Sequence, residues 1–254
     1  MNLFRQLSLA VSLSILSFGL AGCASIQGST LAGMSVANHS ASVPAPKVDL
    51  SDTGNWWNER NAVLNERAQS GDHDLVMIGD SITHGWEGEG KEVWAKYYDH
   101  RNTMNIGIGG DRTQHVLWRL QNGNFDGQTP KLCVLMIGTN NFRSNTAVEI
   151  ADGIKAIVRE IRSQSPSTKI LLLAIFPRFE TPHVERTMLA EASGMASALA
   201  DGVNVHYLNI NDVFLTKDGT LSKEIMPDAL HPNAHGYQLW AEAMESKIAE
   251  LLGE

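Results

Sequence analysis

The sequence predicts an α/β protein, a three-layer α/β/α sandwich on a five-stranded parallel sheet. Short unbroken apolar runs such as Leu75-Val76-Met77-Ile78 and Leu132-Cys133-Val134-Leu135-Met136-Ile137 lack the alternation of a half-exposed strand. Strands buried on both faces have that character in parallel sheets. These runs alternate with stretches of helical period, which is the pattern of βαβ units.

Each element follows from local signals. Residues 56–69 read as a helix stopped by Gly71, with Trp57, Val63 and Leu64 on its apolar side. A strand over 74–79 comes next. Residues 92–100 form a short helix carrying Val93, Trp94 and Tyr97. A second strand, 104–108, runs into Gly109-Gly110-Asp111, and a helix over 113–120 follows. The third strand, 132–137, ends in Gly138-Thr139-Asn140-Asn141. Residues 146–163 are the clearest amphipathic helix, with Ile150, Ile154, Ile157, Val158 and Ile161 on one side. A strand over 169–175 leads to a loop around Pro177 and Pro182, then a helix over 185–199 and a strand over 203–208. Residues 209–235 are irregular, and a helix over 236–252 closes the chain. Five strands are too few for an eight-stranded barrel and fit a doubly wound, flavodoxin-like sheet.

The N-terminus reads as an address. Arg5 precedes an apolar run from Leu7 to Ala21, the layout of a secretory signal peptide. Leu20-Ala21-Gly22-Cys23 resembles the bacterial lipobox. That resemblance implies cleavage before Cys23, lipid attachment to that cysteine, and a place in the cell envelope anchored to a membrane through the lipid alone. Residues 23–52, rich in Ser, Ala, Gly and Pro, read as a flexible tether, which leaves 53–254 as the folded domain.

At 254 residues, with 43% hydrophobic content, the chain has enough apolar material for one sizeable domain. Its net charge is −8 and its basic residues are scattered, which argues against nucleic acid as a partner. Of the two cysteines, Cys133 lies in an apolar strand and reads as a buried hydrophobe. No internal disulfide and no cysteine-built metal site is expected.

Parallel strands share one carboxyl edge, where open α/β sheets bind ligands. Ser81 follows the first strand, Gly109-Gly110 the second and Asn140-Asn141 the third. Pro227-Asp228-Ala229-Leu230-His231-Pro232-Asn233 precedes the last helix. Acyl transfer needs a nucleophile, a base, a group that orients the base, and donors aimed at the oxyanion. Ser81, His231 and Asp228 can supply the first three. The Ser81 and Gly110 backbone N–H groups and the Asn140 side-chain amide can supply the donors. Singly, each piece has a plainer reading. A serine after a strand caps a helix, Gly-Gly makes a turn, an asparagine caps, and His-Pro starts a helix.

Gly79-Asp80-Ser81-Ile82, Gly110, Gly138-Thr139-Asn140-Asn141 and Asp228-Ala229-Leu230-His231 resemble the four blocks of the SGNH (GDSL-like) hydrolases, in order. Within the family, Asn105-Ile106-Gly107-Ile108-Gly109-Gly110-Asp111 and Gly138-Thr139-Asn140-Asn141-Phe142 look closest to the catalytic subunits of platelet-activating factor acetylhydrolase. The resemblance implies an esterase or lipase with a preference for short acyl groups, often acetyl, and no cofactor or metal is expected. By it, Ser81, Asp228 and His231 form the triad, and Ser81, Gly110 and Asn140 the oxyanion hole. Ile82 stands where the family commonly has Leu, and Asn141 where the broader family has Asp. The subunits resembled form dimers, so a homodimer is implied, although no interface is legible here.

Two substrate classes compete, acetylated carbohydrate and lipid esters; the absence of a long apolar lid favours the former. A binding lipoprotein on a hydrolase fold is the rival outside catalysis. His84 and Trp86 stand near Ser81, where Trp86 can stack on a sugar or simply pack. Asp111 and Arg112 can pair with each other or meet substrate. His231 and His235, split by Pro232, do not make a metal motif.

Overall fold

The computed structural model describes residues 37–48 and 55–254. Cys23, and with it the expected signal, cleavage site and lipid anchor, lies outside the described residues. The sheet consists of β1 (Leu75–Gly79), β2 (Thr103–Asn105), β3 (Leu132–Met136), β4 (Lys169–Leu173) and β5 (Val205–Leu208). Its order is β2-β1-β3-β4-β5, with every neighbour parallel. This is the doubly wound order expected from the sequence.

The helices are α1 (Trp56–Gln69), α2 (Ser81–His84), α3 (Lys91–Tyr97), α4 (Thr113–Leu120), α5 (Ala147–Gln164), α6 (Val184–Ser197) and α7 (Ala234–Leu252). The two-residue period of the strands splits the core into two clusters. Val76, Ile78, Cys133, Leu135, Ile170 and Leu172 face α1, α4, α5 and α6. Leu75, Met77, Leu132, Val134, Met136, Leu171 and Leu173 face α3 and α7. The five residues expected on the buried face of α5 are all buried. Its start is fixed by Thr146, which accepts from the Glu149 N–H while Glu149 reaches back, a reciprocal cap.

Several boundaries differ from expectation for local reasons. β2 stops at Asn105 because the Asn105 side chain accepts the Gly107 N–H at 2.8 Å and bends the chain. Ile106 and Ile108 are buried beyond it, and so read as strand in the sequence. β5 starts at Val205 because one Asp201 oxygen gathers the N–H groups of Val203, Asn204 and Val205 into a turn. Val63 is exposed, and Asn61 takes a buried place on α1 instead.

The tether expectation fails over residues 37–48, which pack on the domain. Ala41 is fully buried, and its carbonyl accepts from the Thr113 hydroxyl at 2.7 Å. Asn145 donates to the Ser40 hydroxyl at 2.8 Å, and the Ala45 N–H donates to the Gln114 carbonyl at 3.2 Å. This strap is held mainly by backbone groups and one small side chain, so its composition resembles a linker.

Candidate active site

The turn from β1 into α2 is what presents Ser81. Asp80 caps α2, its carboxylate accepting the Ile82 N–H at 3.0 Å, so Ser81 opens the helix as its first residue. Gly79 permits the sharp bend: a Cβ there would stand 2.5 Å from the Met136 carbonyl oxygen. Gly79 and Met136 are register partners, so β1 and β3 end level.

Ser81 Oγ lies 2.9 Å from His231 Nε2, and His231 Nδ1 lies 2.6 Å from Asp228 Oδ2. The other Asp228 oxygen accepts the N–H groups of Leu230 (3.0 Å) and His231 (2.7 Å). This closes an Asx-type turn, with Ala229 in the left-handed region at φ 57°. Burial acts to raise the Asp228 pKa, but the hydrogen bonds from the His231 ring and backbone outweigh it and hold the carboxyl below its usual value. An ionised carboxylate can only accept, so the proton on the ring belongs at Nδ1 and the Nε2 lone pair faces the Ser81 hydroxyl. A hydroxyl, an imidazole and a carboxylate linked in this way can pass a proton from oxygen to nitrogen.

Gly109-Gly110 approaches the same serine. A Cβ on Gly109 would stand 3.9 Å from Ser81 Cβ and 3.2 Å from Cη2 of Trp56. Gly110 has φ 73°, where a side chain is strained. Among the described residues, neither the Ser81 nor the Gly110 N–H finds an acceptor. Asn140 donates one amide hydrogen to the Asp111 carbonyl at 2.9 Å, which leaves the other free. The next residue, Asn141, is buried and structural. It accepts the Thr113 N–H at 3.0 Å, and its amide meets Thr113 Oγ1, Gln114 Oε1 and Asn145 Oδ1.

Asp111 pairs with Arg119 at 2.8 Å, both side chains fully buried, and also accepts the Trp57 indole N–H at 2.7 Å. It does not pair with Arg112, whose backbone N–H caps onto His115 Nδ1. Trp86 is buried among Trp94, Tyr98, Tyr237 and Trp240, so it packs and presents no face to a sugar. The charges acting on His84 are Arg60, Glu87 and Arg67; burial, then Arg60, holds its pKa below the ordinary value. His235 is exposed on α7.

Three residues near the site had no motif to reveal them. Arg178 donates to the Thr139 carbonyl at 3.0 Å and stacks on Phe142, its guanidinium 3.9 Å from the ring centre. Beside it the Phe179 N–H donates to the Ala229 carbonyl at 2.9 Å, which ties the Asn140 turn to the His231 loop. Lys47 of the strap donates to the Gly109 carbonyl at 3.2 Å. The only sequence signal for any of them was the loop between Pro177 and Pro182.

The fold is the SGNH architecture of ester-bond hydrolases. The chain belongs to the GDSL-like lipase/acylhydrolase family, whose model matches residues 77–239. It is 34% identical over 215 residues to platelet-activating factor acetylhydrolase IB subunit alpha2 of Gallus gallus, covering 84% of this chain and 92% of that one. Among solved structures, a GDSL-like lipase from Bacteroides thetaiotaomicron superposes with a TM-score of 0.62 at 18% identity, over 76% of this chain and 97% of that one. A carbohydrate acetylesterase from Sinorhizobium meliloti superposes with a TM-score of 0.54 at 20% identity, over 70% and 98% respectively.

Proposed function

We propose that the protein is a serine esterase that removes short acyl groups, acetyl above all, from carbohydrate esters. The observation that carries the mechanism is the unbroken path from Ser81 Oγ through His231 to Asp228, at 2.9 and 2.6 Å. Ser81 Oγ adds to the carbonyl carbon as its proton passes to His231 Nε2, and the carbonyl π pair moves onto oxygen. Asp228 steadies the imidazolium. The oxyanion is met by the Ser81 and Gly110 N–H groups and the second Asn140 amide hydrogen. Collapse expels the alcohol, which takes the Nε2 proton. Water then repeats the sequence on the acyl-enzyme, releasing the acid and free Ser81.

Two things support a small acyl group on a sugar. The Trp56 ring, 39% exposed, lies against Gly109, which neighbours Ser81, and offers an apolar surface to a pyranose. The Sinorhizobium meliloti neighbour is a carbohydrate acetylesterase. The likeness to an acetylhydrolase of platelet-activating factor supports a second reading that shares the acetyl group, an acetylated lipid.

Hydrolysis of p-nitrophenyl esters of two, four, eight and twelve carbons by the whole chain, beside Ser81→Ala, tests the first reading. Activity should fall with chain length and vanish in the variant. Preferential release of acetate from acetylated xylan over an acetylated ether phospholipid selects sugar, and the reverse selects lipid. We also propose export and lipid anchoring through Cys23, supported by the Leu20–Cys23 pattern. Labelled fatty acid should enter the wild type and not Cys23→Ser.

A further inference from the structure

We propose that Lys47, carried into the site by the N-terminal strap, is a positioning residue that locks the Gly109–Gly110 peptide with its N–H turned toward the oxyanion. The inference rests on the esterase reading above. Lys47 is half-buried, and its ammonium donates to the Gly109 carbonyl at 3.2 Å. It also lies close over the next residue, where a Cβ on Gly110 would stand 2.7 Å from Lys47 Nζ. In a planar trans peptide, the carbonyl of one residue and the N–H of the next point in opposite directions. Holding the Gly109 oxygen outward therefore holds the Gly110 N–H inward.

The turn is closed by the Asp111 N–H on the Ile108 carbonyl at 3.3 Å, but that bond spans the Gly109–Gly110 peptide without fixing which way it faces, and both orientations are ordinary turn types. Neither residue has a side chain to anchor it, and glycine populates both signs of φ. A half-turn of the peptide would swap a donor for a carbonyl oxygen at the place where negative charge develops. Lys47 is itself held. Its ammonium lies 5.3 Å from the centre of the Trp56 ring. The strap behind it bonds to Thr113, Gln114 and Asn145, the residues that gather around Asn141. One piece of chain thus reaches both the Gly110 turn and the residues around Asn141, next to the donor Asn140, from outside the 77–239 region that the family model spans.

Lys47→Met in the whole chain should lower kcat for p-nitrophenyl acetate about tenfold, with KM within about twofold, because the lost interaction is realised only as the oxyanion forms. Binding of a short-chain trifluoromethyl ketone, which becomes an oxyanion on a serine, should weaken by the same factor as kcat/KM. Lys47→Arg, which keeps a cationic donor, should recover most of the rate, and melting temperatures should match. The proposal is overturned if Lys47→Met keeps the wild-type kcat, if the loss falls on KM alone, or if the ketone binds as tightly as before. A wild type that hydrolyses no ester and ignores Ser81→Ala defeats the esterase reading. A wild type silenced by Ser81→Ala but indifferent to Lys47→Met defeats only the role of the lysine.

Discussion

Two carboxylates serve the same sheet edge in opposite surroundings. Asp111 and its partner Arg119 have no exposed side-chain surface, while Asp228 and His231 keep 56% and 42% of theirs. The buried pair is a fastener. Arg119 grips Asp111 and Asn124 and reaches the Gly79 carbonyl, so it ties the end of β1 to the residue that follows the Gly109-Gly110 turn. The exposed pair lies in a screened setting, where an ion pair adds little stability. In the proposed mechanism it gains and loses a charge in each cycle, and water makes that change of charge inexpensive. Burial separates the carboxylate that holds the site from the one proposed to work in it.

Breaking the exposed pair should give the largest effect, and only on rate. His231→Ala should lower kcat by about 10⁴-fold or more while the melting temperature stays within a degree or two, since the proton path is lost and almost no packing goes with it. Breaking the buried pair should do the reverse. Arg119→Met removes the buried cation that Asp111 pairs with, and breaking a buried pair typically costs about 3–5 kcal/mol of folding free energy, measurable by urea unfolding. A destabilisation below about 1 kcal/mol would mean that the pair is not the fastener described here.

Asn140→Ala sits between these extremes. It should keep the fold and lose about 10²–10³ in turnover, the usual consequence of removing one oxyanion donor. The last effect, read against pH, concerns a third carboxylate, Asp80, whose pKa burial pushes up to about 7, aided by the Asp111 charge and opposed by the Ile82 N–H and Arg178. A raised carboxylate pKa means the folded state favours the proton. Stability is therefore greatest below the unfolded value of 3.8 and is lost as pH rises from there through about 7. Asp80→Asn keeps an oxygen for the Ile82 N–H and removes the titration. Its melting temperature should overtake the wild type by an amount that grows between pH 5 and pH 8, and a constant gap would sink the idea.

Much of this was legible in the sequence. Apolar strands buried on both faces announce themselves, and so does α5, whose five buried residues follow a helical period. The residues of the exposed pair and Ser81 were legible because motif blocks at strand ends converge on one edge. What escaped was held by backbone groups and long-range pairing. The strap depends on Ala41 and on carbonyls, and neither carries a sequence period. For Asp111 the sequence leaves open a pairing with its neighbour Arg112 or a contact with substrate, whereas its partner Arg119 lies two helical turns along α4 on the inward face. Arg178 acts through stacking on Phe142 and Phe179, which no local pattern encodes.

The loop that joins Asp228 to His231 has a mechanical consequence. The carboxylate is bonded both to the ring and to the backbone of the residue bearing it, so the proposed base and its orienter are held to each other as one piece. Alignment of the proton path thus reduces to a single coordinate, the gap between that piece and Ser81 across the sheet edge. Motions that stretch the gap disengage both groups together, so this site should behave as engaged or idle, with few intermediate degrees of competence. The clasp from the Phe179 N–H to the Ala229 carbonyl acts on that coordinate directly.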